Sequence, residues 1–232
     1  LAGTAGVTPP AGPLGILMLD TRFPRIVGDI GNAQSFDFPV IFRRMDGIGP
    51  ADAVTTHPDR PRVLAALEAN ARALAAEGAV GLSTSCGFLA LYQDELAAVS
   101  PVPVATSALL LIGQMTERKV GVITASAKNL TAAHFLAVGA PADTPVVGMP
   151  ENGSFAGTFL KNGPTLDRHA VEREVLAAGR ALVAAHPEID TVVLECTNLP
   201  PYKRALEKEL GLPVHDVRDL LAGLYAGLSA RR

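Results

Sequence analysis

Short apolar runs alternate with helix-period segments from Leu14 onward, and halfway along the chain the alternation begins again. A run of four to six apolar residues between turn formers reads as a strand buried on both faces. Apolar residues spaced three and four apart read as an amphipathic helix. On these rules strands are expected at 14–19, 40–44, 79–82 and 102–105, with helices at 62–76 and 88–99. The second round has strands at 120–124, 145–149, 191–194 and 214–217, with helices at 130–138, 167–185, 202–210 and 220–228. Val63, Leu64, Leu67, Ala71, Leu74 and Ala75 share one face of the first long helix. Val171, Val175, Ala178, Leu182 and Val183 share one face of the second. Such alternation implies the α/β class, with short parallel sheets covered by helices on both faces. Ligands then sit beyond the carboxyl ends of the strands.

The restart has the character of a duplication. Leu14-Gly-Ile-Leu-Met resembles Val120-Gly-Val-Ile-Thr, and Ala79-Val-Gly-Leu-Ser-Thr-Ser-Cys86 resembles Thr191-Val-Val-Leu-Glu-Cys196. Val102-Pro-Val104 resembles Leu212-Pro-Val214, and that pair has the same separation as the two cysteines. Each half therefore carries one cysteine just after the third strand of its unit. Two pseudo-symmetric lobes that face each other would bring both thiols to the cleft between them.

Composition narrows the class. The formal net charge of −3 offers no basic field for a nucleic acid or an anionic membrane, so neither partner is expected. Two cysteines in 232 residues favour a reducing, cytoplasmic setting over a disulfide scaffold. The stretch 1–13 reads as a loose leader without the basic start and apolar block of a signal peptide. No apolar run is long enough to cross a bilayer; the most apolar region, 96–113, is broken by Pro101 and Pro103. The five histidines show no metal-ligand spacing.

A buried cysteine is commonly a small apolar filler. Here both sit at equivalent strand ends among Ser, Thr, Gly and Asn, which favours chemistry. A disulfide between them is the third reading. A thiolate can take a proton from a carbon beside a carboxylate while an opposed thiol returns one. Thr84 and Ser85 are cap-type residues, Gly87 permits close backbone approach, and a helix N-terminus after Cys86 would favour the anion. Thr197 and Asn198 can cap after Cys196, but Pro200 and Pro201 supply no N–H. Strand alternation is expected to point Glu195 away from its neighbour Cys196.

The box Glu195-Cys196-Thr197-Asn198-Leu199-Pro200-Pro201-Tyr202 resembles the second cysteine box of the aspartate/glutamate/hydantoin racemase superfamily. Ser83-Thr84-Ser85-Cys86-Gly87-Phe88 resembles its first, and Leu17 to Pro24 with Gly28-Asp29-Ile30-Gly31-Asn32 resembles an uncharacterised branch of it. The resemblance implies residues 1–112 plus 210–232 as one lobe, 113–209 as the other, and a site in the cleft. It implies Cys86 and Cys196 as the acid–base pair, with no metal and no pyridoxal phosphate. Ser85, Gly87, Thr197 and Asn198 would bind the substrate carboxylate. Asp20, Thr21, Thr84 and Thr124 stand with them as substrate-binding candidates. Asn198 replaces the His or Glu of better-known branches, and an amide does no proton chemistry at neutral pH.

The function expected is a cofactor-independent racemase or epimerase of a small carboxylate such as an amino acid, compatible with a homodimer. A decarboxylase or cis–trans isomerase on the same fold is the nearest alternative. A two-lobed binding protein without turnover and a redox protein are the others. Arg22 could pair with a second carboxylate or lie in solvent, and His215 could approach the site. The irregular 28–39 segment could be a lid or a surface insertion, and 148–163 reads as a turn-rich connection. Lys203, Arg204, Glu207, Lys208 and Glu209 read as a solvated helix face, and Arg231-Arg232 as a frayed end.

Overall fold

A computed structural model describes residues 12–229. The expected leader, apart from Gly12 and Pro13, and the terminal arginine pair lie outside the described residues. The first sheet comprises β1 (Leu14–Leu19), β2 (Val40–Met45), β3 (Gly81–Thr84) and β4 (Val104–Ala105), in the order β2-β1-β3-β4. The second comprises β5 (Val120–Thr124), β6 (Val146–Gly148), β7 (Thr191–Leu194) and β8 (Val214–His215), in the order β6-β5-β7-β8. Every pairing is parallel. The expected α/β class, two parallel sheets in two lobes, is what the structure shows. The central strands are buried throughout β3, β5 and β7, which is why they read as unbroken apolar or small-residue runs.

Seven α-helices accompany the sheets among the described residues: α1 (Pro50–Ala53), α2 (Arg60–Ala76), α3 (Gln93–Val99), α4 (Ala132–Leu136), α5 (Arg168–Ala185), α6 (Lys203–Leu210) and α7 (Val217–Ser229). The two long ones start alike. The carboxylate of Asp59 accepts from the Arg62 N–H, and that of Asp167 from the Ala170 N–H, so each satisfies one orphan donor of its first turn. Val63, Leu67, Ala71 and Leu74 are buried on α2, as are Val171, Val175, Ala178 and Leu182 on α5. Each buried Val or Leu among them contributes roughly 1.5–3 kcal/mol.

The duplication extends to packing. A Cβ at Gly15 in β1 would meet Leu82 at 2.7 Å and Leu74 of α2 at 3.0 Å. A Cβ at Gly121, its counterpart in β5, would meet Ile189 at 2.5 Å and Leu182 of α5 at 2.9 Å. One glycine per lobe thus lets the long helix lie against the first strand. Two expected elements change character. The 88–99 helix is a 3₁₀ segment, Gly87–Tyr92, followed by α3. The 148–163 connection contains a π-helical turn, Ala156–Leu160, that buries Phe159.

β8 remains in the second sheet, and α7 after it packs against β3 and β4 of the first. We propose on this packing that the chain crosses back to the first lobe near His215 rather than at 210. Among the described residues no helix is long and apolar enough to cross a membrane.

Candidate active site

β1, β3, β5 and β7 run parallel in two sheets, so their carboxyl ends present loops on one edge of each. Cys86 follows β3 by two residues, and Cys196 follows β7 by two. Both thiols are free, each residue is 8% exposed, and both line a single cavity. The cavity is narrow and leaves little free room between the two loops.

The first loop is built to hold its sulfur against backbone donors. The Thr84 hydroxyl, with one proton to donate, lies between the carbonyls of Cys86 (2.9 Å) and Thr106 (2.7 Å), which anchors the turn. Cys86 then sits in extended conformation at the start of the 3₁₀ segment. The Leu89 N–H donates to the Cys86 carbonyl at 3.0 Å, and the N–H groups of Phe88 and Leu89 near the sulfur favour the thiolate. The Ser85 hydroxyl oxygen accepts from the Leu19 N–H at 2.8 Å, so Ser85 ties the loop to β1.

The second loop treats its sulfur differently. The Cys196 thiol donates to Asn198 Oδ1 at 3.6 Å. Asn198 Nδ2 donates to Asp29 Oδ2 at 2.8 Å, which fixes the amide's orientation. Asp29, itself buried, accepts at Oδ1 from Arg25 (2.9 Å) and from the Gly31 N–H (2.7 Å). Arg25 also donates to the Thr21 hydroxyl at 2.8 Å and lies 4.3 Å over the Phe23 ring. The loops are joined directly, because the Thr197 hydroxyl donates to the Ser85 carbonyl at 2.6 Å.

Glu195 does not point away from the site. Its carboxyl lines the same cavity, fully buried, against the bare Cα of Gly87: a Cβ there would come within 2.9 Å of the carboxyl carbon. β7 ends at Leu194, so the alternation that would have turned Glu195 aside stops one residue too early. Oε2 accepts from the Thr124 hydroxyl at 2.7 Å, and Oε1 has no partner. Burial pushes this carboxyl up to about 7, against the hydrogen bonds from Thr124 and the Ala125 N–H.

Burial likewise pushes the Cys86 thiol up to about 12, reinforced by the Glu195 charge and opposed by the two N–H groups and Arg25. Cys196 is pushed well above its ordinary value by burial, then by Glu195, against the Asn198 N–H. So buried, both thiols are proton-bearing at neutral pH.

Of the residues named from sequence, Cys86, Cys196, Thr21, Ser85, Gly87, Thr197 and Asn198 line the cavity. Asp20, Thr84 and Thr124 do not. Asp20 turns to the Gly47 N–H and Arg44, Thr84 braces the first loop, and Thr124 stands behind Glu195. Arg22 is exposed and His215 lies by Asp219, away from the lining. The lining arginine is Arg25, which sequence reading missed along with Asp29, Glu195 and the aromatic wall of Phe23, Phe88 and Phe159. The 28–39 segment reaches the second lobe: the Ile30 N–H bonds Thr197 and a Cβ at Gly28 would meet Pro201. Among the described residues no group of three His, Cys, Asp or Glu could hold a metal ion.

No family model matches the sequence. A dimethylsulfoniopropionate lyase of Durusdinium sp. clade D is 27% identical over 215 residues, covering 88% of this chain and 70% of that protein. Dimethylsulfoniopropionate lyase 5 of Emiliania huxleyi (strain CCMP1516) is 28% identical over 222 residues, covering 90% of this chain but only 44% of that protein. Arylmalonate decarboxylase superposes with a TM-score of 0.62 at 19% identity over 92% of each chain. An aspartate racemase homologue from Pyrococcus horikoshii OT3 superposes with a TM-score of 0.57 at 14% identity, covering 94% of this chain and 99% of that one. Glutamate racemase from Thermus thermophilus, in complex with β-chloro-D-alanine, gives 0.57 at 17% identity over 97% and 81%.

Proposed function

The chain has the fold of the aspartate/glutamate racemase superfamily, and on that premise we propose that it is an enzyme that removes a proton from the carbon beside a small substrate's carboxylate. The thiolate of Cys86 is the base. The observation that carries this reading is one narrow cavity lined by a cysteine from each lobe together with a partly buried arginine, Arg25. The guanidinium keeps unused N–H donors for a carboxylate, since its pairings with Asp29 and Thr21 occupy two of five.

The relatives' names favour a lyase over an isomerase as the outcome of that proton removal. On dimethylsulfoniopropionate the step balances as a β-elimination. Cys86 takes the α-proton, and the C–H pair becomes the new carbon–carbon double bond. The C–S bond breaks, and dimethyl sulfide leaves with its pair, giving acrylate. The cavity's charge suits such a zwitterion. The charge of Arg25 is offset by Asp29, and Glu195 adds negative character, so a cationic sulfonium is welcome beside Phe23, Phe88 and Phe159. A substrate cation also favours a thiolate in a site that burial otherwise keeps protonated. Aspartate brings an ammonium cation too, but also a second carboxylate, and Arg25 is the one cationic side chain among the lining residues.

Racemisation is the second reading, favoured by the second thiol: Cys196 would return a proton where no leaving group exists. The deciding experiment supplies dimethylsulfoniopropionate and measures dimethyl sulfide and acrylate, beside aspartate and glutamate in heavy water with α-deuterium as readout. Sulfide release that disappears in Cys86→Ser supports the lyase. Deuterium incorporation without sulfide replaces it with the racemase. The absence of both, with ligand still bound, leaves a binding protein.

A further inference from the structure

Neither cysteine can serve as a base while it holds its proton, and burial keeps both protonated at neutral pH. The proton therefore needs a destination inside the site. Glu195 is fully buried, lines the same cavity as both sulfurs, and leaves Oε1 without a hydrogen-bond partner. Any residue larger than glycine at position 87 would collide with that carboxyl, so the first cysteine loop is shaped around it. An unpartnered polar atom in such a place is costly unless its charge state is used.

We propose that Glu195 is the third proton-bearing group of the site, a positioning residue for the thiols' proton: Cys–SH and Glu–COO⁻ exchange to Cys–S⁻ and Glu–COOH, directly or through one water, so that thiolate and carboxylate need not be charged together. The exchange is a proton transfer with no net change of charge and no oxidant. It rests on the thiolate-base reading and adds how the thiolate forms. Other charged or titratable groups frame the cluster. Arg25 favours the thiolate of Cys86, and Asp29 disfavours that of Cys196. His134 of α4 packs edge-on to Phe88, with its ring centroid at 5.1 Å, and burial pulls it down to about 4, so it stays neutral. The Glu195 carboxyl at about 7 sits where it can accept and release a proton near neutrality.

The test needs no substrate. Thiolate formation is followed from pH 5 to 11 by ultraviolet absorbance and by the rate of iodoacetamide alkylation, in wild type and in Glu195→Gln. Glutamine keeps the shape and the acceptor for Thr124. Wild type should show two rises in alkylation rate, the first near pH 7, as Glu195 loses the proton that it then exchanges with a thiol. The variant should show one continuous rise without the step near pH 7, and at pH 10 to 11 it should be alkylated about tenfold or more faster than wild type, because a like charge has been removed. A step near pH 7 that persists in the variant, or alkylation at pH 10 to 11 no faster than in wild type, overturns the proposal. Difference infrared spectroscopy on wild type covers a variant that fails to fold. A carboxylic-acid C=O band must vanish with a midpoint near pH 7, and no such band titrating between pH 6 and 8 overturns the proposal. Absent dimethyl sulfide with an intact two-step profile would fail only the lyase reading.

Discussion

The two cysteine loops occupy the same place in the same topology, yet they surround their sulfurs with different groups. The N–H groups of Phe88 and Leu89 and the charge of Arg25 favour the Cys86 thiolate. Cys196 has one such N–H, that of Asn198, and donates its own proton to Asn198 Oδ1, in an amide locked by Asp29. Pro200 and Pro201 occupy the turn after it and offer no donors. The repeated topology places two thiols in one cavity, and the groups around them leave Cys86 the better supported as an anion and Cys196 the more firmly protonated. On the proposed reading, symmetry of fold then goes with two different roles.

The sharpest way to break this comparison is to remove each sulfur in turn. Elimination of a neutral sulfide needs a base and no acid. Cys86→Ser should then lower kcat for sulfide release by about 10³-fold, within the usual range for loss of a general base. Cys196→Ser should lower it by roughly tenfold or less. Equal losses would mean that both sulfurs take part in proton transfer, as in a two-base racemase.

A second contrast lies in the buried titratable groups behind each loop. Glu195, raised from 4.5 to about 7, keeps its proton in the native state where the unfolded chain has lost it. Its contribution to stability is full below 4.5 and is lost as pH rises through 7. His134, lowered from 6.5 to about 4, works in reverse: its contribution is full above 6.5 and is lost as pH falls through 4. Each amounts to about 3 kcal/mol, and over their shared window they oppose each other. Glu195→Gln should uncover the histidine slope. Urea unfolding at pH 4.5 and 7 should show the variant gaining about 3 kcal/mol relative to wild type across that interval. Parallel profiles would show that the carboxyl titrates normally.

How far the sequence revealed this depends on what each residue's position obeys. Cys86 and Cys196 could be found because buried parallel strands write themselves as apolar runs and ligands gather at their ends. Val63 and Val171 could be placed inward by helical period alone. Glu195 was misdirected because period two holds only inside a strand, and β7 ends one residue earlier. Arg25 and Asp29 owe their places to a non-repeating segment, fastened by Asn32 and Ser35 to the carbonyls of Arg25 and Asp29. Phe159 was hidden in a glycine-rich stretch whose π-helical turn has no sequence period to betray it. Short strand boundaries slipped for a related reason: β4 and β8 are each two residues long and sit at sheet edges.

Arg25 tests which loop the substrate carboxylate addresses. Arg25→Gln leaves Asp29 without its cation and the carboxylate without its partner, so KM should rise by roughly 10- to 100-fold, the weight of one or two charged hydrogen bonds. Arg25→Lys should recover little of this, because a point charge cannot reproduce the planar fork over Phe23 while bonding Asp29 and Thr21. Full rescue by lysine would reduce Arg25 to a source of charge.

The smallest expected effect concerns a hydrogen bond that joins the loops. The Thr197 hydroxyl donates to the Ser85 carbonyl at 2.6 Å, and both residues are buried. Thr197→Val keeps the shape and leaves that carbonyl unpaired, at a cost of about 1–3 kcal/mol. In a chain of 232 residues each kcal/mol lowers Tm by roughly 2–4 °C. Thermal unfolding should register that shift whatever the loops do chemically. The kinetic consequence separates two views of the pair. If the loops act as one unit whose spacing sets catalysis, kcat should fall further than the lost stability explains, while substrate affinity holds, since Arg25 is untouched. If each sulfur works within its own loop, Thr197→Val will melt earlier and turn over as before.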